Sequence, residues 1–555
     1  MTCSHLRQPR TPGRRTWFIP VGIGLLAALG LVLTACRRPE NAADRGVRDQ
    51  VLHRSLGAEI PEIDPQLATT LAESQVVSAL FEGLLIPNPD GGQPLPGVAE
   101  SWMVSPDGLI YTFRLRSNAR WSDGSPLTAD DFVSSFRRAL SPELASGNAN
   151  LFFPVRGANA YRQGEITDFS LVGFEAVSDQ ILTVSLESPC TFLPQLVTHW
   201  SWMPVPIAQI GRSGPVFERG SRWTRMDNVV SNGPFTLVEW VPNQAIRVRR
   251  NPNYWEAKTV RLNEIVFHAI DSVDAEERAF RAGQLHITEA LPLGKIDTYR
   301  ETGSAALRIE PFLSVYFYRL NVTHPALRDV RVRRALSLSI DRKRLVDTVL
   351  RGAQLPADSF TPRGIGNYLP PSAPPTNPER ARRLLAEAGF PDGDGFPPLE
   401  ILFNTSENHR LIAEAIQEMW RRELGISALL LNQELRVYLE NRKMIDYEIC
   451  RSGWVADYLD PMSFLGIMTT GNPNNQTGWS DPEYDRLILE AERETNRSAR
   501  QELFQQAEQL LLADVPVIPI YHYSTIRLVD PRVKGWVAHP LDQHPYKFLH
   551  LEPLD

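Results

Sequence analysis

The chain has 555 residues, enough for two or three globular bodies. Its 43% hydrophobic and 22% charged residues exclude a disordered or many-spanning chain. The formal net charge of −7, with no basic tract interleaved with aromatics, speaks against nucleic acid as a partner.

At the N-terminus, Arg7, Arg10, Arg14 and Arg15 precede an apolar run from Trp17 to Ala35, the order of a secretory signal. Leu33-Thr34-Ala35-Cys36 resembles the lipobox of bacterial lipoproteins. That likeness implies cleavage before Cys36 and acylation of this cysteine, several chains anchoring firmly where one would not. Residues 1–35 are then the signal peptide. Residues 36–50, charged and aperiodic, are expected to be a tether, with order beginning at Val51. A plain signal anchor is the alternative, since the run of about 19 residues could just span a bilayer. After processing, Cys190 and Cys450 remain; they match no metal spacing and are expected as buried thiols.

Further along, Ala68 to Leu85 carries helical periodicity, with Val76, Val77, Leu80 and Leu84 on one side. Tyr111 to Arg116 alternates as a half-buried strand, and Thr128 caps a helix with Asp130 and Asp131 in its first turn. The blocks Asn404-Thr-Ser-Glu-Asn-His409 and Asn432-Gln-Glu434 flank an amphipathic helix with Leu411, Ile412, Ala415, Ile416, Met419 and Trp420 inward, and Asp481-Pro482 opens another helix. Between them lies Arg451-Ser-Gly-Trp-Val-Ala-Asp-Tyr-Leu-Asp-Pro461, a strand-like approach ending at a helix start. A carboxylate beside an aromatic wall can hold an ammonium group, and an arginine six residues earlier can hold a carboxylate. A zwitterion such as a peptide carries both groups. An internal Arg–Asp ion pair is the competing reading.

The order of several blocks extends this. Val98-Ala-Glu-Ser-Trp102 is followed by Trp121-Ser-Asp-Gly-Ser-Pro126, Ser231-Asn-Gly-Pro-Phe235, Arg250-Asn-Pro-Asn-Tyr-Trp255 and Pro516-Val-Ile-Pro-Ile-Tyr-His-Tyr523. Together they resemble the extracytoplasmic solute-binding proteins of peptide and nickel ABC importers (family 5), most of all the oligopeptide-binding members. The resemblance covers everything from about residue 50 onward. It implies an α/β, two-lobed periplasmic-binding-protein fold of type II, with an extra inserted α/β lobe and a hinge of two chain crossings. Lobe I would comprise 51–81, 183–313 and 525–555, lobe II, the insertion, 82–182, and lobe III 314–524, with crossings near Ser314 and Ser524.

Within that likeness Asp457 matches the acceptor of the peptide's amino-terminus. Arg451 matches a cation for the carboxylate of short peptides, and His409 one that meets it on a longer ligand. Gly453 and Trp454, with Asn232 and Gly233 across the cleft, are expected to offer backbone and pocket groups to the peptide main chain. The chain departs from the oligopeptide-binding members at Ser314 and Val455, which stand where those have cysteines, and at Leu435 and Lys443, which replace a tryptophan and a histidine. The implied partners are short peptides, an ABC permease with its ATPases and a membrane reached through the lipid anchor; the chain is expected to act as a monomer on the periplasmic side. No cofactor or metal is called for: His539, His544 and His550 are irregularly spaced, and no phosphate loop, nucleophile elbow or zinc-protease motif occurs. A dipeptide, murein-peptide or nickel-chelate cargo stays open, as does a peptide sensor or chaperone without transport. A peptidase would need a nucleophile or metal that the sequence lacks.

Overall fold

A computed structural model describes residues 40–554. The signal segment and Cys36 lie outside the described residues. Order begins earlier than expected, which corrects the tether over 36–50. Helix Ala42–Asp49 is capped by Asn41, whose Oδ1 accepts the Asp44 N–H at 2.8 Å, and it ends at Gln50 in the left-handed region. The His286 ring reaches the Ala43 carbonyl at 3.0 Å, and Arg532 pairs with Asp44 at 2.6 Å. An asparagine cap followed by an acid in the first turn was a readable start signal.

Strand Val51–Ser55 runs parallel to Glu264–His268, and Ala245–Arg250 and Phe235–Val241 complete a four-stranded sheet. A second four-stranded sheet is antiparallel throughout, in the order Ala99–Val104, Ile110–Leu115, Ile181–Ser185, Phe174–Ser178. The expected lobe boundary at 182/183 falls inside one of these strands, so the inserted sheet keeps the chain through Ser185. Tyr111, Phe113 and Leu115 point inward as the alternation predicts. Helix Ala129–Leu140 starts at Thr128, whose N–H donates to Asp131 Oδ2 at 2.8 Å. The helix expected over 68–85 is confined to Leu71–Leu80. A Thr70–Glu73 capping box starts it, and Phe81 turns extended, the Leu80 carbonyl accepting the Gly233 N–H at 2.8 Å.

One continuous hydrophobic core joins these two sheets, including Leu52, Val248 and Phe267 from the first and Phe113, Leu182 and Val184 from the second. Inside it sits a buried ion pair. Arg138 donates to Asp64 at 2.7 and 3.2 Å and to Gln66 Oε1 at 2.6 Å, and the Trp223 indole N–H donates to Asp64 at 3.1 Å. Both side chains are about fully enclosed (1% and 2% exposed), so removing one leaves the other buried and unpaired. Arg138→Met is expected to lower the unfolding free energy by about 3–5 kcal/mol. A denaturant midpoint equal to wild type would contradict this.

The remaining body is built on a six-stranded sheet in the order Leu355–Pro356, Val517–Leu528, Leu307–Leu320, Ile449–Val455, Leu399–Asn404, Ala428–Gln433. Alternate residues of Leu307–Leu320 serve two cores, Tyr316, Tyr318 and Leu320 on one face and Leu313, Val315 and Phe317 on the other. Helix Glu407–Leu424 covers the first face through Ile412, Ala413, Ile416 and Trp420. The two long strands also continue past this sheet towards the first body. Their ladder is irregular between Pro311 and Val315, opposite Ser524 and His522. Proline has no N–H to donate, and the Leu313 N–H leaves the ladder for the Pro540 carbonyl at 2.8 Å. This break lies where the sequence places the two crossings. Cys190 and Cys450 are free and buried. No helix among the described residues is long and apolar enough to cross a membrane.

Candidate functional site

Strand Ile449–Val455 lies between Leu307–Leu320 and Leu399–Asn404, but the second neighbour follows it only at Ile401↔Ile449 and Leu402↔Cys450. Beyond Cys450 the two strands part, at the carboxyl ends of parallel strands, where open α/β sheets place their ligand crevices. On the other side the Ala456 N–H donates to Leu313 O and the Asn321 N–H to Glu448 O, both at 2.9 Å. Main-chain groups alternate sides along an antiparallel strand, so even-numbered residues here bond that neighbour. Gly453 and Val455 therefore turn N–H and C=O towards the uncovered edge. A side chain on Gly453 would lie 3.6 Å from Arg451 Nη2 and 3.8 Å from the Tyr523 hydroxyl, so glycine leaves room beside the arginine.

Arg451 opens this edge. Its Nη1 spans the gap to Asn404 Oδ1 at 3.4 Å, its Nη2 donates to the Tyr523 hydroxyl at 3.2 Å, and its guanidinium stands 4.8 Å from the centre of the Tyr316 ring. Its Nε has no partner among the described residues, and no carboxylate pairs with it there. Tyr316 in turn stacks on Tyr521 at 4.8 Å. His409, in the first turn of helix Glu407–Leu424, packs on the same Tyr316 ring at 5.6 Å, its Nδ1 unpartnered among the described residues. Arg451 and His409, expected to serve peptides of different length, thus converge on one aromatic platform. His409 is not a cation at neutral pH: burial, then the charge of Arg451, pushes its imidazole down to about 4. Its ring is neutral there, with one N–H to donate and one nitrogen that accepts.

Asp457 lies two residues beyond the strand, its N–H donating to Ser463 Oγ at 3.0 Å. Burial pushes its carboxyl up to about 6. It forms no ion pair among the described residues, so the internal Arg451–Asp457 bridge is not what the pair does. Asp457 borders a cavity of about 580 Å³ together with Trp454, Tyr458 and Ser463 from its own body and Asn150, Phe192 and Leu196 from the first. Trp454 lines the same cavity, and its indole N–H donates to the Ser463 carbonyl at 2.6 Å.

Asn232 and Gly233 are placed differently from the expectation. Both are buried in the first body. The Asn232 amide bonds the Glu82 main chain at 2.8 and 3.1 Å, and Gly233 donates to Leu80 O and accepts from Asn251 Nδ2. Neither glycine main-chain group is left for a ligand, and a Cβ there would meet Leu80 and Phe81 at 2.6 Å. This pair locks the turn after helix Leu71–Leu80. Ser314 and Val455, in contrast, are direct cross-strand partners beside the site, with Ser314 Oγ donating to Trp454 O at 2.8 Å. Leu435 and Lys443 stand exposed at the ends of helix Leu435–Lys443. Tyr316, Tyr521, Tyr523 and Asn404 were missed. The period-two tyrosines at 316/318 and 521/523 were the available signal.

Comparison with known proteins gives the family and the fold. Residues 93–476 match the family of bacterial extracellular solute-binding proteins, family 5 (middle). The periplasmic oligopeptide-binding protein OppA of Escherichia coli K12 is 35% identical over 540 residues, which cover 94% of this chain and 96% of that one. The solved unliganded open form of MppA, a periplasmic murein tripeptide binding protein, superposes with a TM-score of 0.78 at 32% identity, covering 91% of this chain and 97% of the other. Haemophilus influenzae OppA in complex with RPPGFSPFR gives 0.75 at 32% identity, with 91% and 99% covered. These relatives are binding proteins, and the fold is the two-lobed type II arrangement that the sequence motifs implied. The chain belongs to family 5 of the bacterial extracellular solute-binding proteins.

Proposed function

We propose that this chain is a lipid-anchored receptor of an ABC importer, which captures short peptides between its two bodies and delivers them to the permease. The observation that carries the reading is a complementary vacancy of charge. Asp457, a carboxylate without an ion pair among the described residues, and Arg451, an arginine without an acidic partner among them, flank a strand edge whose Gly453 and Val455 main-chain groups face outward. A peptide's ammonium group would meet Asp457, its carboxylate Arg451 and the neutral His409, and its main chain the free edge, as in strand addition. Six residues separate the two charges, at most ~20 Å of extended chain, which suits peptides of up to about five or six residues. Lobe I, with the inserted sheet running through Ser185, and lobe III would close about the strand break near Ser314 and Ser524, burying the charges. Cys36 after Leu33-Thr34-Ala35 supports the anchor, and capture on the periplasmic side by a monomer suits a permease partner.

Native mass spectrometry of the form lacking residues 1–36, purified without denaturant, tests the cargo. Added masses fitting two- to five-residue peptides, lost on denaturation, are expected. An unliganded mass together with no heat on titration with free-amine tripeptides and tetrapeptides would overturn the peptide reading.

A further inference from the structure

The loop that carries Asp457 packs on the opposite body through Tyr458 and Met462, and Phe192 is the ring that Tyr458 meets there. Phe192 belongs to the core of the first body, where its neighbours Cys190, Leu193, Leu196 and Val197 are buried. Phe192 is itself buried, at the rim where that core meets the other body. It stacks on Tyr458 with centroids 4.9 Å apart and planes within 5°, and the Arg500 guanidinium lies 5.4 Å from its centre. Tyr458 and Arg500 both come from the other body, so the ring is held between a phenol and a cation across the interface.

Neither partner is free to drift. Arg500 is clamped by Asp460 at 2.6 and 2.9 Å and by the Ala491 carbonyl at 2.9 Å. Asp460 also accepts the Met462 N–H at 3.0 Å, and Ser463 binds back to Asp457 and Trp454. The segment from Trp454 to Ser463 is thus closed on itself, and Tyr458, the residue after Asp457, is the face it turns to the first body. Phe192 further borders two cavities, the one of about 580 Å³ that holds Asp457 and another of about 430 Å³ lined by Asp460 and Arg500.

We propose that Phe192 is a positioning residue for the ammonium site, holding the Asp457 loop against the first body and keeping water of the second cavity from its carboxylate. This rests on the peptide reading above for its ligand, though not for its geometry. Because Asp457 and Tyr458 are adjacent residues, a ligand that pulls on Asp457 pulls on a contact between the lobes that is already made in the empty site.

Two measurements test it with Phe192→Leu, which removes the stack, and Phe192→Tyr, which keeps it. The first is the carboxyl-carbon titration of Asp457 in the ligand-free protein, assigned by difference with Asp457→Asn. Burial sets its high midpoint; Asp485 and Glu492 face the same cavity, and Tyr458, Asp460 and Arg500 stand behind the loop. Water admitted by Phe192→Leu should lower the midpoint from about 6 by at least half a pH unit, with Phe192→Tyr unmoved. The second is calorimetric affinity for trialanine and tetraalanine, expected to fall about tenfold or more in Phe192→Leu and to stay near wild type in Phe192→Tyr. Wild-type affinity with an unmoved midpoint in Phe192→Leu overturns the proposal, and so do equal losses in both variants. If the wild-type protein takes neither peptide, the functional reading fails, while the ligand-free titration still decides the role of Phe192.

Discussion

Replacing Asp457 with asparagine is expected to remove capture of free-amine peptides while making the empty protein more stable. The two effects share a cause. In the empty site the carboxyl is raised from an ordinary 3.8 to about 6 by burial with no cation to offset it. A carboxyl whose folded-state value exceeds the unfolded one costs stability when ionised. That cost is absent below both values, grows as the pH rises through them and is complete above about pH 6. Its ceiling at neutral pH is about 3 kcal/mol, so a gain of about 1–3 kcal/mol is expected from the neutral isostere. Binding moves the other way. Truncating one partner of an enclosed charge pair costs about 2–5 kcal/mol, roughly 30- to 5,000-fold in affinity. Calorimetry with free-amine and N-acetylated tripeptides separates the effects: the asparagine variant should bind both weakly and alike. A variant that binds the free amine as wild type does would remove Asp457 from the site.

What was legible in the sequence was local or ordered by motif. Thr128 with Asp131, and Asp481 before Pro482, announce helix starts because a cap needs only its own first turn. The strand at Ile110–Leu115 shows itself by alternation. Of the candidate site, the order of the blocks singles out Asp457, Arg451 and His409, and the structure gives each an environment suited to the proposed role: a buried carboxyl without an ion pair among the described residues, and two side chains on the Tyr316 ring. What was hidden depends on neighbours remote in sequence. Arg333, one of four arginines between 328 and 334, is buried and bonds the carbonyls of Leu327, Arg328 and Asp514. Asn232-Gly233 looks like a ligand loop, yet its groups are spent on Leu80, Glu82 and Asn251. The tyrosine platform under Arg451 exists only once three strands are in register, Tyr316 standing between Gly453 and Tyr521. Phe192 has no local signal at all, since its partners lie some 270 to 310 residues away, at Tyr458 and Arg500.

The carboxylate end permits a second large effect, and one that discriminates between ligands. Arg451→Met should weaken binding of a free-acid tripeptide or tetrapeptide while leaving its C-terminal amide nearly unchanged. A hydrogen bond to a charged group contributes about 1.5–3 kcal/mol, so the acid should lose roughly 10- to 150-fold. Lysine should not rescue it. A single ammonium cannot reach Asn404 and the Tyr523 hydroxyl while lying on the Tyr316 ring, as the guanidinium does. Nor can His409 supply the missing charge unaided, because its imidazole is neutral at pH 7 in the empty site. The same variant takes away the cation that helps hold His409 down, so its imidazole should titrate above about 4 once Arg451 is gone. Loss of acid-over-amide preference together with an upward His409 titration would assign the carboxylate to this platform. Equal losses for acid and amide would show instead that Arg451 only braces the strand, and the ligand's carboxylate would have to be sought elsewhere along the cleft.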